Sequence, residues 1–309
     1  MRVFITGASG HIGSAVVPEL LGAGHEVVGL ARSDSSAVAL ESMGAGVHRG
    51  DLDDLDGLRR ASEAADGVIH LAFKHESMAS GDYAGAIGAD LRALEAIAET
   101  LRGTGKPLVG TSGTLLLARG EAGTGSGAGV GQVGVETDTR PSGPRVDAEN
   151  FVVGLASEGV RSSVVRLPPT VHSYLDLHGF VPTLISMARE AGTAGYVGDG
   201  ANRWPAGHTL DAAHLYRRAL EPAPAGTRWH AVGDEGVEFR RIAEAIGRGL
   251  SVPVVSVDPS DAAARFGFLG PLVSLDNPTS SAITQERLGW KPEHAGLIED
   301  LEEGHYFKP

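Results

Sequence analysis

Short apolar runs alternate with amphipathic helical patterns along the first 75 residues of the chain. The apolar runs at 2–6, 25–30 and 68–73 predict strands, and the patterns over 11–22 and 54–65 predict helices. Such alternation is typical of repeated strand–helix units, which build a parallel sheet. The continuous apolar run at 68–73 indicates a central strand that is covered on both faces.

Further elements follow, and their pattern loosens after Pro168 and Pro169. The remaining predicted elements are a helix at 83–101, a strand at 107–110, a helix at 144–157, a strand at 161–167, helices at 180–191 and 211–220, a strand at 228–232 and a helix at 238–250. The change predicts a second, smaller α/β domain that closes over the first. We expect a large domain of residues 1–171 with 208–232, and a small domain of residues 172–207 with 233–309.

Residues 120–134 interrupt the pattern with seven glycines in fifteen positions and almost no large side chains. A segment of this composition buries too little surface to offset its ordering entropy. It is interpreted as a surface loop, either a tolerated flexible insertion or a lid over an active site.

The composition of the 309 residues limits the classes of function. The chain carries 39 acidic and 26 basic side chains, and its formal charge of −13 argues against non-specific binding to nucleic acid or to an anionic membrane. The absence of cysteine excludes disulfides, thiolate catalysis and zinc–thiolate sites. We find neither a signal-peptide pattern nor an apolar run near the roughly 20 residues that span a bilayer. We therefore expect a cytoplasmic protein.

Three glycines, Gly7, Gly10 and Gly13, lie between the first predicted strand and the first predicted helix. Without a Cβ atom in the way, a pyrophosphate reaches the backbone there, and the free N–H groups of the helix N-terminus bind it. The spacing predicts a dinucleotide site, with a ligand-free glycine turn as the alternative. The candidate cofactor residues of this loop are Gly7, Ser9, Gly10, His11, Ile12 and Gly13.

The end of the second strand indicates which dinucleotide binds. Folds that bind NAD usually place a carboxylate there, about 20 residues after the glycines, to accept hydrogen bonds from the ribose hydroxyls. This chain has Arg32 and Ser33 in that region, and a guanidinium beside a hydroxyl suits the 2′-phosphate of NADP. We predict NADP as the cofactor, with NAD bound through Asp34 as the alternative.

Residues at the ends of the third and fourth strands complete the predicted cofactor site. Asp51 lies where an adenine can be held at the sheet edge, and Leu52 follows it. Asp53 and Asp54 are interpreted as a solvated turn that caps the next helix. The other candidate cofactor residues are Leu71, Ala72 and Phe73 after the fourth strand.

These residues resemble the short-chain dehydrogenase/reductase superfamily in its extended, NAD-dependent epimerase/dehydratase-like branch. The similarity covers most of the chain. It rests on the glycine motif at 6–13, Asp51-Leu52, His70-Leu71-Ala72, Thr111-Ser112-Gly113 and Leu288-Gly289-Trp290-Lys291-Pro292. The resemblance implies a Rossmann-type, doubly wound parallel sheet with a nicotinamide cofactor, and a smaller C-terminal α/β domain that selects the substrate.

The chain departs from this family at the catalytic pair. Members usually carry Tyr-x-x-x-Lys at the start of the helix after the fifth strand, where the tyrosine transfers a proton. Alignment of Ala148-Glu149 with the Ala-Glu that often follows the lysine puts Arg145 at the lysine position and Pro141 at the tyrosine position. No tyrosine in the chain has a lysine four residues later, so the usual acid/base is missing.

Other residues are candidates for the catalytic work. Ser112 stands at the position where the family carries a serine that orients the substrate, and its neighbours Thr111 and Thr114 could share this role. The alternative for Ser112 is a structural role, in which its hydroxyl closes a turn at the end of the strand. Arg145 could hold ribose hydroxyls, but an arginine does not deprotonate and cannot act as a general base. The candidates for a proton donor are His172 and Tyr174 after the sixth strand, and Lys74 and His75 after the fourth.

A metal site is not predicted. His208 and His214 flank Asp211 at spacings of three, but Leu210 and Leu215 indicate that this helix has packing work to do.

The leading hypothesis is an NADPH-dependent oxidoreductase that transfers hydride to the carbonyl-type carbon of a small ketone, aldehyde or imine. A nucleotide-sugar epimerase or dehydratase is the first alternative, and it would need a base that the missing tyrosine removes. A non-catalytic NADP-binding regulatory protein is the second. We expect a small-molecule substrate, neither nucleic acid nor membrane as a partner, and, from the resemblance, a homodimer.

Overall fold

A computed structural model describes residues 1–75, 81–118, 132–221 and 223–308. The first half alternates strands and helices as predicted. Its elements are β1 (Arg2–Thr6), α1 (His11–Gly22), β2 (Glu26–Ala31), α2 (Asp34–Ser42), β3 (Gly46–Arg49), α3 (Leu55–Glu63), β4 (Gly67–His70), α4 (Tyr83–Leu101), β5 (Pro107–Gly113), α5 (Val146–Gly154) and β6 (Arg161–Leu167).

The second half contains shorter strands between its helices. Its elements are β7 (Thr170–His172), α6 (Phe180–Ala191), β8 (Ala194–Val197), β9 (Arg203–His208), α7 (Thr209–Leu220), β10 (Thr227–His230), β11 (Asp234–Glu238), α8 (Phe239–Leu250), β12 (Val254–Val257), α9 (Ala262–Phe266), α10 (Ala282–Leu288) and α11 (Leu297–Glu302). Within the described ranges, no helix has both the length and the apolar character to cross a membrane.

Seven strands form the main sheet in the order β10-β6-β5-β4-β1-β2-β3, and every neighbouring pair is parallel. Helices cover both faces, so the fold is the predicted Rossmann-type, doubly wound α/β sheet. The strand order reverses between β1 and β4, and the carboxyl ends of these two strands open a crevice there. This position is where such sheets bind ligands.

Two small sheets and a second hydrophobic core lie outside the main sheet. Strands β11, β9 and β7 form one small sheet, and β12 pairs with β8 in the other. Trp204 is fully buried in the second core, where its ring contacts Phe180 and Phe239. Strand β10 joins the main sheet, in line with the assignment of residues 208–232 to the large domain. We therefore keep, as a proposal, the division into a large domain of residues 1–171 with 208–232 and a small domain of residues 172–207 with 233–309.

Several predictions of secondary structure were wrong, each for a local reason. Helix α2 was missed because its first turn is rich in serine; Ser33 caps it by accepting the N–H of Ser36 at 3.1 Å. Strand β4 ends at His70 rather than Phe73, since the N–H of Ala72 turns away to the side chain of Thr6. Strand β9 was missed because it contains Pro205, a residue that argues against a strand.

The other differences lie at the middle helix and in the glycine-rich segment. The helix predicted at 144–157 begins at Val146, and its last turn, Leu155–Glu158, is a 3₁₀ helix. Most of the predicted loop at 120–134 lies outside the described residues. At its end, Gly134 forms a bridge with Thr279.

A buried charged group links α5 to the edge strands of the main sheet. Arg166 on β6 is 1% exposed and binds both carboxylate oxygens of Glu149, at 2.6 and 2.9 Å. Arg228 on β10 contacts the same carboxylate at 2.6 Å. Burial alone would raise the pKa of Glu149, but the hydrogen bonds and charge of Arg166 outweigh it, so the pKa lies below its ordinary value. The carboxylate therefore stays ionised.

Removal of one partner from this group should destabilise the fold. Arg166→Met leaves the buried Glu149 carboxylate with Arg228 as its remaining charged partner, and we expect a loss of about 3–5 kcal/mol in the free energy of unfolding. Urea denaturation measures it. The matched control is Arg248→Met, which breaks an exposed pair with Glu302 and should cost less than about 1 kcal/mol. Equal losses in the two variants would contradict the role given to the buried group.

Candidate active site

The turn between β1 and α1 brings backbone atoms closer together than side chains would allow. Gly7 has a φ of 71°, and a Cβ atom on it would lie 2.8 Å from the backbone nitrogen of Ala72. A Cβ atom on Gly13 would lie 2.3 Å from the carbonyl oxygen of Gly7. Packing within the protein therefore requires glycine at both positions.

Gly10 has a more open environment than the other two glycines. It is the exposed N-cap of α1, and beyond its chain neighbours a Cβ atom there would meet only the carbonyl oxygen of Gly7, at 3.3 Å. The open space lies at the helix N-terminus, where the first N–H groups have no acceptors within the helix. We call this open space at the N-terminus of α1 the cradle. The predicted residues Ser9, His11 and Ile12 surround it, and it fits the pyrophosphate of a dinucleotide.

The side chain of His11 connects the cradle to the second half of the chain. Its Nε2 lies 2.8 Å from Oγ1 of Thr209, and its Nδ1 lies 3.7 Å from a carboxylate oxygen of Asp176. Burial lowers the pKa of His11 to about 4, and the charge of His172 adds to the shift. His11 is therefore neutral at pH 7 and links two parts of the fold, a role that the glycine motif did not reveal.

The residues predicted to select the cofactor lie at the carboxyl ends of β2 and β3. Arg32 is exposed directly after β2, and the hydroxyl of the capping residue Ser33 lies 2.9 Å from that of Ser36. Asp34, the alternative NAD ligand, forms an ion pair with Arg49 at the end of β3. Arg32 therefore directly precedes the serine residues at the N-terminus of α2, and the carboxylate of Asp34 beside them has a cationic partner.

The residues after β3 make mainly structural contacts. Oδ1 of Asp51 accepts the N–H groups of Asp53 and Asp54 at 2.8 and 3.2 Å. Asp51 therefore stabilises the turn that the sequence had assigned to Asp53 and Asp54 alone. Leu52 is buried in the hydrophobic core beneath α3 and α4. Asp54 caps α3 as predicted, whereas the carboxylate of Asp53 forms an ion pair with Lys74.

Leu71, Ala72 and Phe73 form the opposite wall of the crevice, after β4. The N–H of Ala72 donates to Oγ1 of Thr6 at 3.2 Å, which holds this segment against the end of β1. The ring of Phe73 carries the guanidinium of Arg145 on its face, 4.1 Å from the ring centre.

A buried row of polar groups connects the glycine turn to Arg145. The hydroxyl of Thr6 lies 2.9 Å from Nδ1 of His70, and Nε2 of His70 lies 3.1 Å from Oδ1 of Asp90. The other oxygen of Asp90 lies 3.6 Å from Nη1 of Arg145. Thr6 accepts the N–H of Ala72 and donates its own proton to His70, so the imidazole N–H points at Asp90.

Sequence reasoning missed the roles of His70 and Asp90. The available signal was a carboxylate on the apolar face of α4, where Asp90 is 4% exposed between Ala89 and Ala93. A buried carboxylate needs a cationic or hydrogen-bonding partner. The position of Asp90 on the helix after β4 indicated that this partner lies near the carboxyl ends of the strands.

Arg145 adopts a backbone conformation that is rare for residues other than glycine. Its φ is 66°, at the N-cap of α5, and its Nη2 donates to the carbonyl oxygen of Thr111 at 3.3 Å. Such strain persists only where the surroundings hold the residue in place, and it is concentrated at functional sites. Its side chain remains 20% exposed, beside Phe73 and Thr111.

The two hydroxyl candidates on β5 contact other parts of the protein. Ser112 is 4% exposed, and its side chain lies next to the Glu149–Arg166 pair on the α5 face. Thr111 donates its only proton to the carbonyl oxygen of His70 at 2.7 Å, so its other contact, at 2.8 Å, is a hydrogen bond received from Tyr216. These placements favour structural roles for both residues.

The proton-donor candidates are spread over the site. His75 lies beside Phe73, and burial together with the charge of Arg145 lowers its pKa. His172 is fully buried, with its Nδ1 2.9 Å from Oδ2 of Asp300, whereas Tyr174 is 63% exposed. The structure therefore brings His75, and not His172, next to Arg145.

In the structure Asp211 lies with His208 and His294, rather than with the pair His208 and His214 that flanks it in the sequence. His208, Asp211 and His294 come together, and the rings of the two histidines stack with centres 4.6 Å apart. Nδ1 of His208 accepts the N–H of Leu210, and Asp211 accepts three hydrogen bonds from Glu293 and His294. These groups join the C-terminal segment to α7.

Comparison with known proteins identifies relatives along the whole chain. A sequence model of the NAD dependent epimerase/dehydratase family matches residues 3–144. An uncharacterized protein of Schizosaccharomyces pombe is 47% identical over 309 residues, which cover 99% of this chain and 100% of the relative. An uncharacterized protein of Saccharomyces cerevisiae is 43% identical, with 97% and 98% covered.

Solved structures share the fold at lower sequence identity. The UDP-glucose 4-epimerase of Thermus thermophilus, solved as a complex with NAD, superposes with a TM-score of 0.74 and 22% identity. The match covers 99% of this chain and 99% of that protein.

The glycine positions should separate cofactor binding from folding. Gly10→Ala places a Cβ atom 3.3 Å from the carbonyl oxygen of Gly7, so we expect a smaller loss of melting temperature than for Gly13→Ala, and dinucleotide binding weakened at least about tenfold. Gly13→Ala should lower the melting temperature, because its Cβ atom meets the carbonyl oxygen of Gly7. Fluorescence titration with NADPH and NADH and thermal unfolding measure the two effects. Unchanged binding in folded Gly10→Ala would count against the cradle.

Proposed function

The chain belongs to the NAD-dependent epimerase/dehydratase family of extended short-chain dehydrogenase/reductases, and on that premise we propose that it is an NADPH-dependent reductase of carbonyl compounds. The observation that carries this proposal is the position of Arg145. Its guanidinium lies on Phe73, at the carboxyl ends of β4 and β5, and its side chain is 20% exposed there.

Arg145 supplies the charge that carbonyl reduction requires. Bound NADPH would provide the hydride, and negative charge then develops on the carbonyl oxygen. The contacts of Arg145 with Asp90 and Thr111, at 3.6 and 3.3 Å, are long, so its N–H groups remain available to that oxygen. Arginine keeps its proton, so the proton that completes the alcohol comes from another donor, either His75 beside Phe73 or solvent.

Asp90 holds Arg145 in place for this role. Its carboxylate receives the N–H of His70 and faces the guanidinium, so it orients Arg145 without neutralising it through a short, two-pronged ion pair. The ring of Phe73 supports the other face of the guanidinium. Together these contacts restrict Arg145 before substrate arrives, which is the condition for electrostatic stabilisation of a transition state.

The choice of NADPH rests on the N-terminus of α2. Arg32 and the hydroxyls of Ser33 and Ser36 offer donors for a 2′-phosphate, and a helix N-terminus favours an anion. The pair that Asp34 forms with Arg49 reduces the repulsion between this carboxylate and a phosphate.

Epimerisation is less well supported than reduction. It begins with oxidation of an alcohol and needs a base to remove the hydroxyl proton. Among the described residues near Arg145, the phenol of Tyr216 bonds Thr111, and burial raises its pKa above the ordinary value for tyrosine. Asp90 already receives the N–H of His70 and faces Arg145. His75 beside Phe73 is a candidate base, but the guanidinium next to it favours a developing anion, so these charges support reduction better than epimerisation.

Substitution of Arg145 should reduce turnover while leaving cofactor binding largely intact. We expect Arg145→Met to lower kcat/KM about 10²–10³-fold in NADPH oxidation assays with ketones, aldehydes and imines, and Arg145→Lys to retain part of the activity. The control is Arg102→Met, whose guanidinium forms an exposed pair with Glu158. A folded wild-type protein that binds NADPH but turns over none of these substrates would instead indicate a regulatory protein.

Substitution of Arg32 tests the choice of cofactor. Arg32→Ala removes a charge-assisted contact of about 1.5–3 kcal/mol, so NADPH should bind roughly 10–150-fold more weakly while NADH changes little. Calorimetric titration of both cofactors measures this difference. The same loss for NADH and NADPH would rule out recognition of the 2′-phosphate by this side chain.

A further inference from the structure

A buried carboxylate faces the side chain of His11 beside the cradle. Asp176 is 3% exposed, and its Oδ1 lies 3.7 Å from Nδ1 of His11, the first residue of α1. We propose that these two residues form a proton-binding pair that sets the charge beside the cradle, so that a dinucleotide binds with uptake of a proton. We call them the proton pair. This inference rests on the dinucleotide site and does not depend on the proposed reduction.

The hydrogen bonds of Thr209 determine which nitrogen of His11 carries a proton. The hydroxyl of Thr209 donates its only proton to the carbonyl oxygen of His172 at 3.1 Å. It therefore accepts from the hydroxyl of Ser173 at 2.9 Å and from Nε2 of His11 at 2.8 Å. In neutral His11 the proton is thus on Nε2, and Nδ1 presents a lone pair to the carboxylate of Asp176.

Two acceptors that face each other repel unless they share a proton. When Asp176 is ionised, the lone pair of Nδ1 and the carboxylate oxygen have no proton between them, and their separation of 3.7 Å is too long for a hydrogen bond. With one added proton, either Asp176 donates to Nδ1 or His11 donates to the carboxylate. Both arrangements replace a repulsion with a charge-assisted or neutral hydrogen bond, so the geometry favours a bound proton.

Groups from three parts of the fold surround the carboxylate of Asp176. In its own loop the N–H of Gly179 donates to Oδ1 at 2.8 Å, and from the C-terminal segment the hydroxyl of Tyr306 donates to Oδ2 at 3.3 Å. From β7, His172 faces it, with its own Nδ1 2.9 Å from Asp300. Burial raises the pKa of Asp176 to about 6, although these neighbours act in the opposite direction.

The proton pair adjoins the place where a pyrophosphate would bind. The backbone N–H of His11 is one of the free N–H groups at the N-terminus of α1, and its side chain is 25% exposed. Without the proton the pair carries a negative charge that repels the pyrophosphate, and with the proton the pair has no net charge. A bound dinucleotide should therefore raise the pKa of Asp176 further and draw a proton into the pair.

The sign of the resulting pH dependence follows from these charges. Below about pH 6 the free protein already holds the proton, so the Kd of the dinucleotide should not change with pH. Above that value the proton has to be taken up on binding, and each further pH unit should weaken binding by up to about tenfold. The loss stops where the pH exceeds the pKa of Asp176 in the complex.

The test is calorimetric titration of the whole protein with NAD. This probe is chosen because the 2′-phosphate of NADPH itself titrates at about pH 6. We expect the Kd of NAD to rise at least about fivefold between about pH 6 and about pH 8. Titrations at about pH 7 in buffers of different ionisation enthalpy should show uptake of up to about one proton per bound NAD.

Substitution of Asp176 assigns this proton to the pair. Asp176→Asn removes the charge and keeps an oxygen for the N–H of Gly179, so NAD should bind with the same Kd at both pH values and without proton uptake. A merely structural role would change Kd by the same factor at every pH. The control is Asp258→Asn, an exposed aspartate that caps a turn after β12, which should keep the pH dependence of the wild type.

Wild-type binding of NAD without net proton uptake would overturn the inference, as would uptake that persists in folded Asp176→Asn. The first measurement uses the unaltered protein, so it decides even if the variant does not fold. A protein that binds neither NAD nor NADPH would refute the dinucleotide site itself. Binding with proton uptake, but without reduction of any carbonyl compound, would refute the reductase and leave the proton pair standing.

Discussion

The close contact between the first turn and the segment after β4 determines the geometry of the site. Gly7 brings the end of β1 against the backbone of Ala72, and only at that distance does Thr6 accept the N–H of Ala72 and donate to His70. His70 is then oriented towards Asp90, which faces Arg145. A backbone constraint on the cofactor loop thus fixes a guanidinium on the other side of the crevice through a row of buried hydrogen bonds.

The exchange of lysine for arginine changes which chemistry the fold supports. A lysine lowers the pKa of a neighbouring tyrosine, but this chain has proline at the corresponding position, so no phenol is there to activate. A guanidinium offers several N–H groups in one plane and holds its charge at any physiological pH. A guanidinium therefore stabilises an oxyanion well and does not itself remove a proton, which is the reason for proposing reduction.

The local pattern of the sequence was sufficient for the cradle and for much of the first half. The bounds of β1 and α1 were predicted correctly, because the glycine spacing and the apolar periods agree there. The row from Thr6 to Arg145 could not be predicted, since it joins residues far apart in sequence and each partner depends on the sheet order. Strand β9 illustrates another limit: Pro205 opposes a strand locally, and the small sheet overrides that preference.

Strand β10 has a consequence for how the chain folds as it is synthesised. Until Thr227–His230 emerges from the ribosome, the edge of β6 has no neighbour and the Glu149 carboxylate lacks its contact with Arg228. An open strand edge beside an incompletely paired buried charge favours association with other chains over native closure. The nascent first half is therefore expected to need shielding until some sixty later residues have been synthesised and β10 can pair with β6.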